Sequence, residues 1–403
     1  MTLFKRELRE ALSIFYQPKD DHALQLLESL GDIMERYVMP DARRVDAEGV
    51  FPVESIKRLS DHGFCKIPFK ARYGGFELPY PIYISALEML GMACASTGLS
   101  LAIHCTVCSG IEMFGNEEQK ERYLKPLIDG KMLGAFALTE PEAGSDAKAV
   151  KTRARLDDGG NSSRSSSNYI IDGRKRFITN GGVADVYFVF AVTDNGYSLF
   201  LVDKDSPGLK VGRCMDKMGV RGSPLVELQL DGCIVPRENL VGEEGKGYHY
   251  AMEMLHTGRI GIAALSVGIA QIAFEKSLEY SKRRQAFGKP IAEFQMIREK
   301  LADMHMMISA ARYLTLSAAY AKQNGLDDYA LKAAEAKLFA SETAKMVSDE
   351  AIQIHGAYGY VDEFDVNRHW RDSRMMSIGE GTSEIMRLII SHRLLRRSDA
   401  SYL

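Results

Sequence analysis

The sequence lacks an excess of either charge. Its 51 Lys and Arg nearly cancel its 54 Asp and Glu, leaving a formal net charge of −3. A protein devoted to nucleic acid needs surplus positive charge to neutralise phosphates, so the balance argues against that class. Cysteine is sparse as well. The six residues, Cys65, Cys94, Cys105, Cys108, Cys214 and Cys233, sit mostly in apolar settings. They predict free buried thiols in a reducing compartment rather than a disulfide-stapled domain. An acid-free leader is also missing: residues 1–16 mix Lys5, Arg6 and Arg9 with Glu7 and Glu10. They read as an amphipathic helix carrying Leu3, Phe4, Leu8, Leu12, Ile14 and Phe15, unlike a signal or transit peptide. No apolar run approaches the ~18–20 residues needed to span a bilayer. These absences predict a cytoplasmic protein without a membrane span.

The common ligand signatures are missing too. There is no Gly-x-x-x-x-Gly-Lys-Ser/Thr loop. Gly242-Glu-Glu-Gly245-Lys246-Gly247 lacks the hydroxyl after lysine and reads as a turn before a helix. No Gly-x-Gly-x-x-Gly follows a strand, and no His-Glu-x-x-His occurs among nine histidines. Cys105-Thr-Val-Cys108 beside His104 has no second ligand pair at zinc spacing and lies in an apolar stretch, so core packing is expected and no metal.

What is present is a chain of 403 residues, 46% hydrophobic and 26% charged, long enough for two or three packed units at roughly 100–200 residues each. The first third has helical spacing, from Leu26, Leu27, Leu30, Ile33, Met34 and Val38 through residues 82–93 and 97–114. The middle third changes period. Tyr169-Ile170-Ile171-Asp172-Gly173 predicts a strand entering a turn, with Arg176-Phe177-Ile178-Thr179 returning; residues 186–192, 198–202 and 225–230 are further strands. The polar run 161–168 reads as a solvated hairpin loop. Long helices follow over 251–284, 292–323 and 327–355, with a shorter one over 384–396. Joined by short breaks, they predict an antiparallel bundle. The fold class is therefore mainly α with a central β domain: an N-terminal helical domain (1–134), a small β-barrel or sandwich (135–242) and a C-terminal four-helix bundle (243–403).

Three segments can carry chemistry. In the run from Phe136 to Asp146, an apolar strand enters a turn rich in Pro, Gly, Thr and Ser. Such a loop can offer N–H groups and hydroxyls to a ligand; a plain connection explains it equally well. Arg283-Arg284-Gln285-Ala286-Phe287-Gly288-Lys289 complements a helix dipole, or binds a pyrophosphate. Gly379-Glu380-Gly381-Thr382 sets one carboxylate between glycines before a helix that Thr382 can cap. Facing an apolar cavity, Glu380 would have a raised pKa and could act as a base; on a surface it would be a solvated turn residue.

Taken in order, these segments resemble the acyl-CoA dehydrogenase family across nearly the whole chain. The resemblance runs through Tyr73-Gly74-Gly75, Leu138-Thr139-Glu140-Pro141, Phe177-Ile178-Thr179-Asn180-Gly181 and Met218-Gly219-Val220-Arg221-Gly222-Ser223. It continues through Gly258-Arg259-Ile260-Gly261, Arg284-Gln285-Ala286-Phe287-Gly288 and Gln353-Ile354-His355-Gly356, and closes on Glu380-Gly381-Thr382-Ser383-Glu384. It is strongest to the short-chain and related bacterial branches. The resemblance implies non-covalent FAD and a homotetramer. It implies that Phe136, Leu138, Thr139, Ser145, Phe177, Ile178 and Thr179 face the flavin. Arg284, Phe287, Gln295, Gln353 and Gly356 would hold the adenine-diphosphate half, partly across a subunit interface, and Thr382 and Glu384 would complete the FAD site. Ser145, His256, Arg259 and Gly381 would touch the acyl-CoA. His256 stands where relatives often have aspartate, which leaves an acyl-carrier thioester as an alternative substrate. Glu380 matches the base; some branches place it instead at the position of Gly258, which cannot serve.

The implied reaction is FAD-dependent α,β-dehydrogenation of a short or branched acyl-CoA to the trans-2-enoyl-CoA. Glu380 takes the α-proton, the β-hydride passes to flavin N5, and an electron-transfer flavoprotein accepts the electrons. An oxidase or monooxygenase on the same scaffold and a non-catalytic flavoprotein that binds nucleic acid are the competing expectations.

Overall fold

A computed structural model describes residues 3–17, 21–157 and 168–395. The expected hairpin loop at 161–168 lies outside the described residues except for Asn168, as does Arg396 of the last expected helix.

The chain begins with six longer helices: α1 (Arg6–Phe15), α2 (His22–Ile33), α3 (Met39–Glu48), α4 (Val53–Asp61), α5 (Tyr80–Ala93) and α6 (Ala95–Phe114). Two short helices follow, α7 (Glu117–Gln119) and α8 (Lys125–Ile128). In α1 the apolar stripe buries Leu8, Ala11 and Leu12 as expected, while Ile14 remains 65% exposed. Helices α5 and α6 are buried along most of their length. In α6, His104 accepts a hydrogen bond from the Gly134 N–H and donates to the Leu127 carbonyl. Cys105 and Cys108 are buried free thiols beside it. That triplet ties α6 to the following β unit, the packing role expected of it.

The β unit comprises β1 (Gly134–Ala137), β2 (Arg153–Asp157), β3 (Asn168–Thr179), β4 (Val186–Thr193), β5 (Gly196–Asp203), β6 (Leu209–Val211), β7 (Leu225–Pro236) and β8 (Leu240–Val241). They form one eight-stranded sheet in the order β6-β7-β3-β2-β4-β5-β8, with β1 parallel to β4. The expected turn at Asp172-Gly173 does not form. Strand β3 runs straight through and pairs with β7, with register shifts between Ile171 and Gly173 and between Lys175 and Ile178. A β-carbon at Gly173 would meet Thr152 Oγ1 at 2.3 Å. The glycine therefore serves close packing inside a bulged strand, where the sequence suggested a reversal. Strands β2 and β6 were not anticipated; β2 alternates little and β6 is three residues long.

Alternation along β4 separates two cores. Val186, Phe188 and Phe190 face the helices, while Tyr187, Val189 and Ala191 face inward with Ile171, Ile178, Phe200, Leu228 and Val235. The sheet thus curls around a core of its own and presses its other face against α6 and the helices that follow.

Those helices are α9 (Gly247–Arg283), α10 (Gln295–Gln323), α11 (Tyr329–His355), the short α12 (Ala357–Tyr360), α13 (Val366–Met376) and α14 (Ser383–Leu395). A two-stranded hairpin, β9 (Gln285–Ala286) and β10 (Lys289–Pro290), separates α9 from α10. Helix α13 buries one face, formed by Val366, His369, Asp372, Ser373 and Met376, and the sequence reading passed over it. Two helices, α6 and α9, are long and apolar enough to cross a membrane, contrary to expectation; 83% and 94% of those stretches is buried inside the protein.

Helices α5 and α9 cross where a β-carbon at Gly268 would lie 2.1 Å from the Glu88 carbonyl and 2.8 Å from the Gly91 Cα. The same crossing holds a buried ion pair between Arg312 on α10 and Glu88, with Gln271 accepting from the guanidinium at 2.7 Å. Three helices are thereby locked in one register, because breaking one member would strand a buried charge.

Candidate active site

The run from Ser377 to Thr382 carries the chain from α13 into α14. Thr382 Oγ1 accepts from the Ile385 N–H at 3.3 Å and caps α14, as expected. Glu380 has φ +55, a left-handed conformation rare for a residue with a β-carbon. Its backbone N–H has no hydrogen-bond partner among the described residues. Its Oε2 is buried and likewise without a partner. Burial pushes the carboxyl up to about 7, against the opposing charges of Arg259 and Lys337.

The space for this carboxylate comes from α9. A β-carbon at Gly258 would lie 2.5 Å from Glu380 Oε2. Gly258 and Glu380 are therefore coupled: the missing side chain makes room for the acid. One residue on, Arg259 donates from Nε to the Glu380 carbonyl at 3.3 Å and from Nη1 to His256 Nδ1 at 2.9 Å. Burial lowers Arg259 to about 10, with Glu380 pulling the other way. Burial and the neighbouring cations hold His256 down to about 3, so it is a neutral acceptor for Arg259. Its ring stands edge-on to Tyr329. A second cation, Lys337 on α11, donates to the Gly381 carbonyl and is fully buried. The sequence reading missed it. Its signal was a lysine on the alanine stripe Ala333, Ala336, Ala340 and Ala344, where an apolar residue belongs.

The loop after β1 is held by bonds of its own. Phe136 and Leu138 are buried against the helices, and the Arg176 N–H donates to the Thr139 carbonyl at 2.8 Å. The loop is fixed from beneath by Glu140, which accepts from Lys175 Nζ at 2.8 Å and from the N–H groups of Lys151 and Thr152. Phe177, φ +59, turns its ring outward and is 53% exposed. Alternation sends the Ile178 side chain into the sheet's core, so only its backbone can meet a ligand. Thr179 is half-buried and Ser145 exposed; the hydroxyls of Thr139, Ser145 and Thr179 make no hydrogen bond among the described residues. Tyr248, at the start of α9, lies against this loop's end. The Lys148 ammonium lies 4.9 Å from its ring, and Arg259 is among the charges it senses.

A third group stands apart. Arg284, Phe287, Gln295, Gln353 and Gly356 are all exposed. Arg284 lies over the Tyr358 ring at 5.8 Å, which brings the hairpin against α12. Gly356 has φ +60, and a β-carbon there would meet nothing within 4 Å. Glu384 is exposed at the start of α14.

The site thus offers a buried carboxylate flanked by two cations, and the loop after β1 adds hydroxyls free of hydrogen bonds among the described residues, an arrangement suited to proton transfer beside a bound ligand. The chain matches the N-terminal domain of acyl-CoA dehydrogenases over residues 20–131, the middle domain over 135–233 and the C-terminal domain over 245–395. A short-chain-specific acyl-CoA dehydrogenase from Clostridium acetobutylicum is 42% identical over 371 residues, covering 91% of this chain and 96% of the relative. The structure of butyryl-CoA dehydrogenase from Megasphaera elsdenii superposes with a TM-score of 0.90 at 41% identity, covering 94% of this chain and all of that one. The prolyl acyl carrier protein oxidase AnaB superposes at 0.88 with 33% identity, covering 94% of this chain and all of that one. The chain belongs to the acyl-CoA dehydrogenase family and is an FAD-dependent oxidoreductase acting on CH–CH bonds.

The residues present fit FAD, the cofactor of that family. An outward aromatic ring at Phe177, unpaired hydroxyls at Thr139 and Thr179, and open backbone at Gly144 and Gly356 are surfaces a flavin and its diphosphate arm would cover.

Proposed function

We propose that Glu380 is the base that removes the α-proton of a short or branched acyl-CoA. The observation that carries this reading is its buried, partnerless Oε2 in the space left by Gly258. A thioester α-proton is too weakly acidic for a carboxylate in water. Dehydration raises the proton affinity of Glu380 to about 7, close to that of a working base at neutral pH. The free N–H of Glu380 is suited to the thioester oxygen, where negative charge develops as the proton leaves. Arg259 holds the Glu380 carbonyl and so helps to fix the turn from which that N–H projects. When bound, FAD supplies the acceptor for the β-hydrogen as hydride, and the product is the trans-2-enoyl thioester. Phe136, Leu138, Thr139, Ser145, Phe177, Thr179 and the Ile178 backbone would line the flavin, and Thr382 and Glu384 would close its site. Ser145, His256, Arg259 and Gly381 would contact the acyl-CoA.

The names of the Clostridium and Megasphaera proteins support a short acyl chain. The exposed group around Phe287 supports a homotetramer in which Arg284, Phe287, Gln295, Gln353 and Gly356 hold an adenine-diphosphate arm across the interface. An electron-transfer flavoprotein would accept the electrons, and the five buried free thiols suit a reducing cytoplasm. Purified enzyme should bleach anaerobically with butyryl-CoA, and Glu380→Gln should slow bleaching ~10²–10⁴-fold. A Gln variant that bleaches at the parent rate would place the base elsewhere.

A second reading has its own observation. Neutral His256 accepts from Arg259 where relatives often present a carboxylate, and the chain is similar to a carrier-protein oxidase. Faster bleaching with a butyryl carrier protein than with butyryl-CoA would favour a carrier-bound thioester.

A further inference from the structure

Lys337 is a buried charge without an ion pair. It is fully buried on α11, and no carboxylate oxygen lies within 4 Å of its ammonium among the described residues. Its hydrogen bond goes to a neutral oxygen, the Gly381 carbonyl. Its helical neighbours Ala333, Ala336, Ala340 and Ala344 are buried and apolar. For packing alone, another apolar residue would serve at Lys337 without the cost of dehydrating an ammonium.

The surroundings show what that charge faces. The charges that bear on it most are those of Glu380, in the Ser377–Thr382 run, and Arg259, on α9. Glu342 on its own helix and Glu384 on α14 are more distant influences. Glu342 is engaged by Ser383 and Lys345, and Glu384 is exposed. Arg259 already divides its donors between the Glu380 carbonyl and His256. Glu380 is thus the buried carboxylate left for Lys337. The lysine also grips the turn mechanically. The carbonyl it holds belongs to Gly381, φ +99, directly after Glu380, φ +55. The left-handed conformation costs energy at Glu380, though not at Gly381, so the turn gains from an outside restraint.

We propose that Lys337 is a positioning residue for the base: its ammonium restrains the Glu380–Gly381 turn through the Gly381 carbonyl and supplies the positive charge against which Glu380 exchanges its proton. The inference rests on the reading of Glu380 as the base. Burial itself lowers Lys337 to about 8, so its charge persists at neutral pH and weakens in alkali. A positive neighbour favours the carboxylate, so its loss raises the proton affinity of Glu380.

The test uses flavin-loaded enzyme and butyryl-CoA, following anaerobic bleaching from pH 5.5 to 9. Lys337→Met removes both charge and hydrogen bond. Lys337→Gln removes the charge and keeps a donor, and Lys337→Arg keeps both. The Met and Gln variants should shift the midpoint of the pH profile upward by about one unit, costing about fivefold in rate at pH 7. The Arg variant should restore the parent midpoint. An unshifted midpoint in Met and Gln overturns the proposal. Loss of flavin by both uncharged variants assigns Lys337 to architecture alone and overturns it too. Failure of the Glu380 reading would be seen separately, as undiminished bleaching by Glu380→Gln.

Discussion

The base end of the site and its hairpin end are built in opposite ways. At the base end, Glu380, Arg259, His256 and Lys337 come from three segments of one chain and are bonded to one another or to the turn they surround. Every charge there is dehydrated, and Glu380 carries the influence of both cations. At the hairpin end, Phe287 is 95% exposed with φ +52, and its nearest ring is Phe294 at 6.1 Å, edge-on. Met296 nearby is 74% exposed. An enclosed site can set proton affinities, because its dielectric surroundings are fixed by its own packing. An exposed aromatic on a strained turn holds nothing by itself and gains only when another surface covers it. Substitutions at the base end should therefore change chemistry with the fold intact. Those at the hairpin end should change assembly with the chemistry intact.

The sharpest separation comes from Gly258→Ala. The added methyl falls 2.5 Å from Glu380 Oε2, and the acid is the movable partner because it ends a side chain. Alanine also has the higher helix propensity, by ~1 kcal/mol, so α9 should not suffer. The variant should keep its flavin and melting temperature while bleaching ~10²-fold more slowly, the scale expected when a reacting group moves by about an ångström. A parent-like rate would mean that the carboxylate does not work from this position; a fallen melting temperature would blur the distinction between the two ends.

The pH response of the parent enzyme comes next in size. Glu380 must be ionised to accept a proton, and burial holds it up to about 7. The bleaching rate should rise by about tenfold from pH 6 to pH 8, as the ionised fraction climbs through its midpoint. A flat profile over that range would put the base in a hydrated setting and remove the contrast.

The two ends also differ in how much of them the sequence discloses. Glu380 between glycines, the Thr382 cap and the long helix carrying Gly258-Arg259 are local patterns, and each is found where spacing suggested. What escaped depends on contacts distant in sequence. Lys337 lies 43 residues before Glu380 and matters only because α11 packs beside that turn. The bulge at Gly173 reads as a reversal until β7 is paired against it, since glycine after aspartate suits both. Ile178 sits between Phe177 and Thr179, two positions expected to face the flavin, yet strand alternation sends its side chain into the core. Helix α13 hides in a polar stretch, because its stripe of Val366, His369, Ser373 and Met376 is only half apolar.

Phe287→Ser tests the open end and should have the smallest effect on rate. Covering a phenylalanine ring stabilises an interface by ~1.5–3 kcal/mol, so its loss should weaken assembly by about tenfold or more. Gel filtration at micromolar concentration should show smaller species that have shed flavin. Protein reloaded with excess FAD should bleach within about twofold of the parent rate, because no hydrogen bond or ion pair among the described residues joins Phe287 to the Glu380 network. Intact assembly and full flavin in this variant would mean that the exposed ring is not an interface residue. A deep loss of rate in reloaded protein would mean that the two ends act as one site, and that closure of the base end depends on the neighbouring copy.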